Sequence, residues 1–165
     1  MFSYGENEIG KIEGFRHSIV TYSDKLVVMP TRRIPIHLED NVEEQIKSLL
    51  SLDVICRSDS PYNNPLVLVK KKNGKLRLCV DFRKLNKISE REIYPIPDGQ
   101  ELFDKLGGND FFTTIDLAKG YYEIELDESS QRKISLRHYN FKQMPFELNS
   151  VSASFQAASY SNEKT

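Results

Sequence analysis

The feature of this sequence that most restricts its fold is the Asn73-Gly74 pair between two short β-prone runs. Asn and Gly readily adopt the positive φ angles that a tight hairpin turn needs. The runs on either side, Leu66–Val69 and Leu76–Val80, are aliphatic, so the pattern predicts an antiparallel hairpin. Alternation along the second run places Arg77 and Cys79 on one face and aliphatic residues on the other.

The hairpin also carries most of the excess positive charge of the chain. The whole chain has a formal net charge of −1, but residues 65–91 contain nine Lys and Arg against two Asp and Glu. Because screening limits each charge to about 10 Å at physiological salt, this local excess can attract phosphate groups even on a slightly acidic protein. A solvated, lysine-rich hairpin without a ligand accounts for the charge equally well.

An amphipathic helix is predicted before the hairpin, from Asp40 to about Ser51. Its apolar residues recur at the spacing of one helical face, and Asp40 with Glu43 can form a capping box. A second, shorter helix is predicted to begin after Asp98 and to end at Gly107-Gly108. The apolar residues of this second helix are expected to face a core; they are Leu102, Phe103 and Leu106.

The remaining patterns complete an α+β chain without internal repeats. Aromatic and β-branched residues predict strands at 111–117 and 121–126. Asp127 and the residues after it are typical of a helix start, whereas the sequence from Ser152 onward is weakly patterned. Residues 1–30 contain scattered glycines and no clean period, which predicts an extended lead-in with little independent order.

Several classes of protein are disfavoured by the composition. No apolar run is long enough to cross a bilayer, and the N-terminus lacks the basic and then apolar order of a signal peptide. We therefore expect a soluble, intracellular chain that does not bind a membrane. The two cysteines lack CxxC spacing and the three histidines are scattered singly, so neither a disulfide framework nor a zinc site is predicted.

Ordered sequence blocks then carry a resemblance to a known family. The blocks are Arg32-Arg33-Ile34-Pro35, Ser60-Pro61-Tyr62, Leu66-Val67-Leu68-Val69-Lys70-Lys71-Lys72-Asn73-Gly74, Arg77-Leu78-Cys79-Val80-Asp81-Phe82-Arg83-Lys84-Leu85-Asn86, Tyr94-Pro95-Ile96-Pro97 and Ile115-Asp116-Leu117-Ala118-Lys119-Gly120-Tyr121-Tyr122. In order and spacing they resemble the reverse transcriptase, an RNA-directed DNA polymerase, of gypsy-class long-terminal-repeat retrotransposons. The resemblance extends over about residues 30–156, where Met144-Pro145-Phe146 adds a further match.

The resemblance implies an incomplete right-hand polymerase of the reverse transcriptase fold. Residues 1–30 would be a connector that precedes the polymerase, and residues 31–97 the fingers subdomain. Residues 98–165 would form part of the palm, with a divergent C-terminal tail. The implied partners are an RNA or DNA primer–template and deoxynucleoside triphosphates.

The resemblance also implies a metal site. Polymerases join a primer hydroxyl to a nucleotide phosphate with two Mg²⁺ ions about 3.5–4 Å apart, and Mn²⁺ is a possible replacement. Asp116 matches the first metal-binding catalytic carboxylate, and Leu117 would lend a backbone carbonyl to the metal. Lys119 and Gly120 match the turn whose backbone N–H groups bind the triphosphate.

Further residues are implied in nucleotide and nucleic-acid binding. Tyr121 matches the aromatic residue under the nucleotide sugar, for which ordinary strand packing is the alternative. Lys71 and Arg77 match the cations that bind the β- and γ-phosphates. Phe146 matches a residue against the sugar and base, with core packing as the alternative. The other lysines of the hairpin are expected to contact the template strand or solvent; they are Lys70, Lys72 and Lys75.

The sequence departs from the family pattern at several positions. The Tyr-x-Asp-Asp turn that supplies the other metal-binding carboxylates is absent, so we expect the isolated chain to be inactive and to hold the metal pair poorly. Glu147 replaces the Gly that normally follows Met-Pro-Phe, and a carboxylate there would repel a triphosphate. Ser152 stands in place of a Pro, and the connection between Lys133 and Met144 is about four residues shorter than usual.

Three interpretations follow from these matches and departures. The chain is a reverse transcriptase fragment, or a non-catalytic nucleic-acid-binding module whose binding is sensitive to salt. Alternatively it pairs with an intact polymerase subunit and interferes with it, or is a relic without a selected role. As a retroelement product it is expected in the cytoplasm or in a retroelement particle.

Overall fold

The computed structural model describes residues 9–92, 98–113 and 119–162. Their helices are α1 (Glu39–Ser51), α2 (Arg83–Ile88), α3 (Gly99–Leu106), α4 (Glu128–Lys133) and α5 (Val151–Asn162). Their strands are β1 (Arg16–His17), β2 (Ile55–Arg57), β3 (Leu66–Lys70), β4 (Leu76–Val80), β5 (Glu125–Leu126), β6 (Ser135–Leu136) and β7 (Tyr139–Phe141). The fold is α+β, as predicted, and within the described ranges no helix is long and apolar enough to cross a membrane.

The predicted hairpin is confirmed as β3 and β4. The two strands are antiparallel, in a register that runs from Leu66 opposite Val80 to Lys70 opposite Leu76. At the turn, the Gly74 N–H donates to the Lys71 carbonyl at 3.0 Å, and Gly74 has a φ of 80° that favours glycine. The Asn-Gly signal therefore predicted the hairpin and its turn. The Lys71 N–H donates to the Lys75 carbonyl at 2.8 Å, so the loop has three residues, 72–74, and only Gly74 of the Asn-Gly pair takes a positive φ.

Helix α1 packs beside the hairpin and satisfies part of its outer edge. The Leu78 N–H donates to Gln45 Oε1 at 3.0 Å, and Gln45 Nε2 donates to the Leu76 carbonyl at 3.4 Å. The predicted helix is confirmed, but its capping box is wrong. A 3-10 turn at Ile36–Leu38 leads directly into α1, so Asp40 already lies inside the helix and its side chain makes no cap hydrogen bond.

A three-stranded antiparallel sheet in the order β2-β7-β6 lies at the centre of the core. Ile55 pairs with Phe141, and Leu136 pairs with Tyr139. Phe82, which follows the hairpin, packs edge-on against Phe141 with ring centroids 6.4 Å apart. Because Phe82 is buried and directly precedes α2, this contact joins the base of the hairpin to the sheet.

The described part of the N-terminal segment is held in place by contacts with later parts of the chain. Strand β1 pairs in parallel with β5, and the Met29 N–H donates to the Asn63 carbonyl at 2.9 Å. The segment is extended, as predicted, and its order depends on these distant partners. His17 of β1 is only 1% exposed and contacts two serines near α5.

The region around α3 differs from the prediction. Asp98 caps α3 by accepting from the Gln100 N–H, and Gly107 follows the last helical residue, as expected. Phe103 and Leu106, however, are exposed at 71% and 48%, so the prediction that they face a core is wrong. Amphipathic spacing gives the apolar face of a helix, but whether another element covers that face is decided elsewhere in the chain.

Neither of the strands predicted at 111–117 and 121–126 is confirmed over its full length. Residues 111–113 are not a strand, and Phe111 is 94% exposed, whereas residues 114–117 lie outside the described ranges. The second prediction is largely wrong, because a 3-10 turn at Gly120–Glu123 precedes the two-residue β5. Tyr121 and Tyr122 both pack against one ring, which the alternating side chains of a strand could not do.

Of the two C-terminal helices, the start of α4 was predicted from the sequence and α5 was not. Asp127 caps α4 by accepting from the Ser130 N–H at 2.7 Å, as its helix-start pattern predicted. Helix α5 lies where the sequence is weakly patterned. Its inward positions include Val151 and Ala158 but also Ser154, which is fully buried, so small and polar residues hide the helical period.

Candidate functional site

One face of the basic hairpin carries the cations singled out in the sequence. Residues directly opposite each other in an antiparallel pair share a face, and Arg77 is opposite Val69 while Cys79 is opposite Val67. By the same alternation Lys71 lies on the face of Arg77 and Cys79. The positive charges of Arg77 and Lys71 both act on the Cys79 thiol, which agrees with this placement. The face therefore carries Arg77 and Lys71, and Lys75, which pairs with Lys71, lies on it as well.

Arg77 lies over the ring of Phe146. The guanidinium carbon is 4.7 Å from the ring centroid, within the range of a cation–π contact. The Nη2 atom of Arg77 is also 3.9 Å from the Oε1 atom of Glu147, the next residue in the chain. Both side chains remain partly open to solvent, with Arg77 exposed at 42% and Glu147 at 35%. The guanidinium thus has an aromatic platform, a carboxylate neighbour and an open side.

Aromatic rings surround the Phe146 platform. Tyr121 and Tyr122 each meet the Phe146 ring nearly at right angles, with centroids 5.2 Å away in both cases. Tyr121 also packs edge-on against Phe155 of α5 at 5.3 Å. Edge-to-face pairs of this kind are each worth about 0.5–1.5 kcal/mol beyond the area that they bury. The cluster fixes the platform between the hairpin, the 3-10 turn and α5.

The 3-10 turn begins at a residue with left-handed backbone. Lys119 has φ 61° and ψ 30°, and its carbonyl accepts from the Tyr122 N–H at 2.8 Å. Its side chain is exposed, whereas Gly120 is buried. A turn is therefore present at Lys119 and Gly120, and it leads directly into the segment that carries Tyr121.

Burial, and after it Glu147, raises the pKa of two groups in this cluster. The pKa of the Cys79 thiol is raised to about 11, first by burial and then by its hydrogen bond to Glu147. The pKa of Tyr122 is raised to about 12, first by burial and then by the negative charge of Glu147. Both groups therefore stay neutral near pH 7. In this cluster the charged residues are Glu147 and the cations of the hairpin.

The loop that carries Glu147 is held by α2. Asn86 Nδ2 donates to the Glu147 carbonyl at 3.0 Å, and Asn86 Oδ1 accepts from the Asn149 N–H at 3.2 Å. The Asn149 side chain donates back to the Asn86 carbonyl at 3.2 Å. Glu147 is therefore placed by a reciprocal set of hydrogen bonds and not by its own side chain.

Asp81 anchors the start of α2 from the other side. It is buried, and it accepts from Arg83 and from Arg32 at 2.7 and 3.0 Å. The hydrogen bond from Arg83 is the main cause that lowers the pKa of Asp81 to about 2, against an opposing effect of burial. Asp81, Arg83 and Asn86 thus support the hairpin and the Glu147 loop.

The predicted site residues fall into three groups. Arg77, Tyr121 and Phe146 meet in one cluster, with Lys71 on the same hairpin face and Lys119 and Gly120 at the adjoining turn. The hairpin tip, which we define as residues 70–75, presents exposed lysines; they are Lys70, Lys72 and Lys75. Asp116 and Leu117 lie outside the described residues.

Two features of the site were missed in the sequence. Tyr122 was not singled out, because a strand would have turned it away from Tyr121 and Phe146. The approach of Glu147 to both Arg77 and Cys79 was also missed, although Glu147 was noted as a departure from the family pattern. The signal available was the shared face of Arg77 and Cys79, but nothing local shows which loop packs on that face.

Sequence comparisons with known proteins identify the family that this chain resembles. The family model described as "Reverse transcriptase (RNA-dependent DNA polymerase)" matches residues 69–157. The retrovirus-related Pol polyprotein from transposon 297 of Drosophila melanogaster is 38% identical over 159 residues, covering 91% of this chain and 14% of the polyprotein. That from transposon gypsy of the same fly is 39% identical over 131 residues, covering 73% of this chain and 13% of the polyprotein. This chain therefore spans about one seventh of the length of such relatives.

Solved structures show the same fold at lower identity. The prototype foamy virus protease–reverse transcriptase is similar over 99% of this chain and 22% of its own, with a TM-score of 0.82 and 21% identity. The foamy viral enzyme in complex with double-stranded DNA covers 97% of this chain and 32% of its own, with a TM-score of 0.77 and 21% identity. Its complex with an RNA/DNA hybrid covers 96% and 22%, with a TM-score of 0.76 and 17% identity.

Proposed function

The chain belongs to the reverse transcriptase family, and on that basis we propose that it serves RNA-directed DNA synthesis by binding the incoming nucleotide and the primer–template. The observation that carries the proposal is the position of Arg77 over Phe146 beside Tyr121. A cation next to flat aromatic rings suits a ligand that has phosphates at one end and a sugar and base at the other.

The phosphate end is assigned to the hairpin face and the adjoining turn. Arg77 offers a planar fork of donors, and Lys71 offers a mobile point charge on the same face. Lys119 lies at the left-handed residue that opens the 3-10 turn, so its exposed side chain adds a third cation to the same region. We assign Tyr121 to the sugar and Phe146 to the sugar and base of the nucleotide.

Binding of the primer–template is assigned to the hairpin tip. Lys70, Lys72 and Lys75 are exposed, so they can approach a phosphate backbone without rearrangement. Binding of this kind depends on charge and is insensitive to base sequence. The foamy viral enzyme of the same fold has been solved with double-stranded DNA and with an RNA/DNA hybrid, which supports both duplexes as ligands here.

Divalent metal ions serve reverse transcriptases as a family, and Mg²⁺ or Mn²⁺ is implied here. In the described ranges no group of three or more His, Cys, Asp and Glu side chains is placed to hold a metal ion. We assign the Asp116 carboxylate and the Leu117 carbonyl to the metal. The sequence has no Tyr-x-Asp-Asp, and we propose that the other carboxylates come from a longer polypeptide or a partner.

Primer extension tests the catalytic part of the proposal. The chain alone, on an RNA template with a DNA primer and Mg²⁺ or Mn²⁺, is expected to bind the duplex and to leave the primer unextended. Extension that Asp116→Asn abolishes would show that the chain assembles a complete site by itself. Loss of duplex binding after replacing the tip lysines, with the fold intact, would support the assigned interface.

A second function, non-catalytic binding of nucleic acid, is favoured by the exposed lysines of the hairpin tip. Adding the chain to a polymerase that is active on its own distinguishes the two functions. If synthesis increases, the chain contributes to catalysis. If stoichiometric amounts of the chain inhibit synthesis, the chain binds and interferes. We expect the protein in the cytoplasm or in a retroelement particle, which cell fractionation with an epitope tag would test.

A further inference from the structure

We propose that Glu147 makes the Arg77 site discriminate against ligands of high negative charge, so that it lowers the affinity for a triphosphate more than for a single phosphate. The inference rests on the proposed function, because it assumes that Arg77 meets phosphate groups. It identifies Glu147 as a residue that determines specificity and leaves the reaction itself unchanged.

The Glu147 carboxylate lies beside the Arg77 guanidinium. The Oε1 atom of Glu147 lies 3.9 Å from Nη2 of Arg77, while the Phe146 ring covers one face of the same guanidinium. A phosphate that binds Arg77 must approach beside this carboxylate. At such separations two unit charges interact by about 1 kcal/mol in water and by more where the site is partly desolvated.

The loop that carries Glu147 is held in place. Asn86 binds the Glu147 carbonyl at 3.0 Å and also binds Asn149, two residues further along the loop. With its backbone held there, the Glu147 carboxylate stays beside the Arg77 guanidinium and repels a phosphate that binds Arg77.

Repulsion by a fixed charge grows with the charge of the ligand. Inorganic tripolyphosphate carries a larger negative charge than orthophosphate near pH 7, and both can meet Arg77 and Lys71. If Glu147 only blocked the fork mechanically, the two ligands would lose affinity by the same factor. A fixed carboxylate instead predicts unequal losses, and this inequality is the measurable signature.

The test is isothermal titration of the full chain with inorganic tripolyphosphate and with orthophosphate, at low ionic strength and without metal. Glu147→Gln keeps the size and shape of the partly exposed side chain, so the fold is expected to persist. We expect it to bind tripolyphosphate about tenfold more tightly and orthophosphate about threefold more tightly than the unaltered chain. Glu147→Asp should behave like the unaltered chain, and Glu128→Gln removes an exposed carboxylate elsewhere as a matched control.

Three results would overturn the inference: equal gains for the two ligands, no gain in Glu147→Gln, or the same gain in Glu128→Gln. A gain that persists when Arg77 is also changed to Gln would overturn it too, because the effect must act on ligands held by Arg77. Duplex DNA binding is measured on the same samples. If every variant binds tripolyphosphate with the same affinity, this inference fails alone; if no variant binds tripolyphosphate, the proposed nucleotide site fails with it.

Discussion

The Nδ1 atom of His17 lies 2.9 Å from the Oγ atom of Ser154, which ties strand β1 to helix α5 across most of the chain. The Ser154 hydroxyl has a single hydrogen and lies within reach of two acceptors, Glu92 Oε2 and the Ser150 carbonyl, which leaves it to accept from His17. We therefore assign the His17 proton to Nδ1, so that Nε2 accepts from the Ser150 hydroxyl at 3.0 Å. This neutral form satisfies both ring nitrogens in a buried site.

The buried His17 predicts a loss of stability in mild acid. Burial lowers the pKa of His17 below the ordinary value of 6.5, against the opposing charges of Glu92 and Asp127. The unfolded chain then binds its proton at a higher pH than the folded chain, so stability falls as the pH drops below 6.5. We expect urea midpoints of the unaltered chain to decline from pH 7 to pH 5.

His17→Gln removes the titrating group and keeps one amide able to bond with a serine. It should be less stable at pH 7 by about 1–3 kcal/mol, since one buried partner is lost, and its midpoint should vary less between pH 7 and pH 5. His138→Gln, at an exposed histidine, is the matched control and should retain the decline. An undiminished decline in His17→Gln would show that another group causes it.

Asp81 predicts a second loss of stability, at lower pH. Its folded pKa of about 2 lies below the ordinary value of 3.8 because Arg83 and, more weakly, Arg32 favour the charged form. The stabilisation is therefore complete above pH 4 and is lost as the pH falls toward 2. Asp81→Asn should cost about 1–2 kcal/mol at pH 7, a figure reduced for the solvent exposure of both arginines.

Denaturation at several pH values measures this effect. The stability difference between Asp81→Asn and the unaltered chain should shrink steadily between pH 4 and pH 2. Asp24→Asn, which changes an exposed aspartate, should show a small difference that does not follow this course. A constant difference across the range would mean that the Asp81 side chain contributes through packing and not through its charge.

Local signals predicted the parts of this fold that are built from neighbours in sequence. Asn73-Gly74 specified its hairpin because the turn and both strands lie within fifteen residues of each other. Asp127 specified the start of α4 for the same reason. The resemblance to the reverse transcriptase family singled out Arg77 and Phe146, which the structure places in contact.

The features that local patterns missed depend on contacts between distant residues. His17 was one of three scattered histidines, and its partner Ser154 lies 137 positions away. Glu147 lies near Cys79 because α2 holds its loop in place, and the spacing of residues in the sequence does not predict where that loop packs. Phe103 satisfied an amphipathic pattern but is exposed, because a pattern cannot show whether an apolar face is covered.

The Phe146 platform predicts how much of the phosphate affinity depends on Arg77 being held in place. Phe146→Leu keeps an apolar side chain but removes the ring under the guanidinium and its contacts with both tyrosines. We expect tripolyphosphate to bind about threefold more weakly, which corresponds to the loss of a partly exposed cation–π contact. Tyr139→Leu, at an aromatic residue of β7, tests whether any lost ring has this effect. Unchanged affinity in Phe146→Leu would show that Arg77 needs no platform.

The exposed lysines of the hairpin tip predict a specific dependence of duplex binding on salt. Each phosphate contact releases a counterion, so the slope of log affinity against log salt changes by about 0.9 per contact. Replacing Lys70, Lys72 and Lys75 together by Gln should reduce the magnitude of the slope by about two to three. A matched triple replacement of exposed lysines elsewhere, at Lys25, Lys47 and Lys87, lowers the net charge equally. If both triple variants reduce the slope alike, binding responds to total charge and the tip is not the interface.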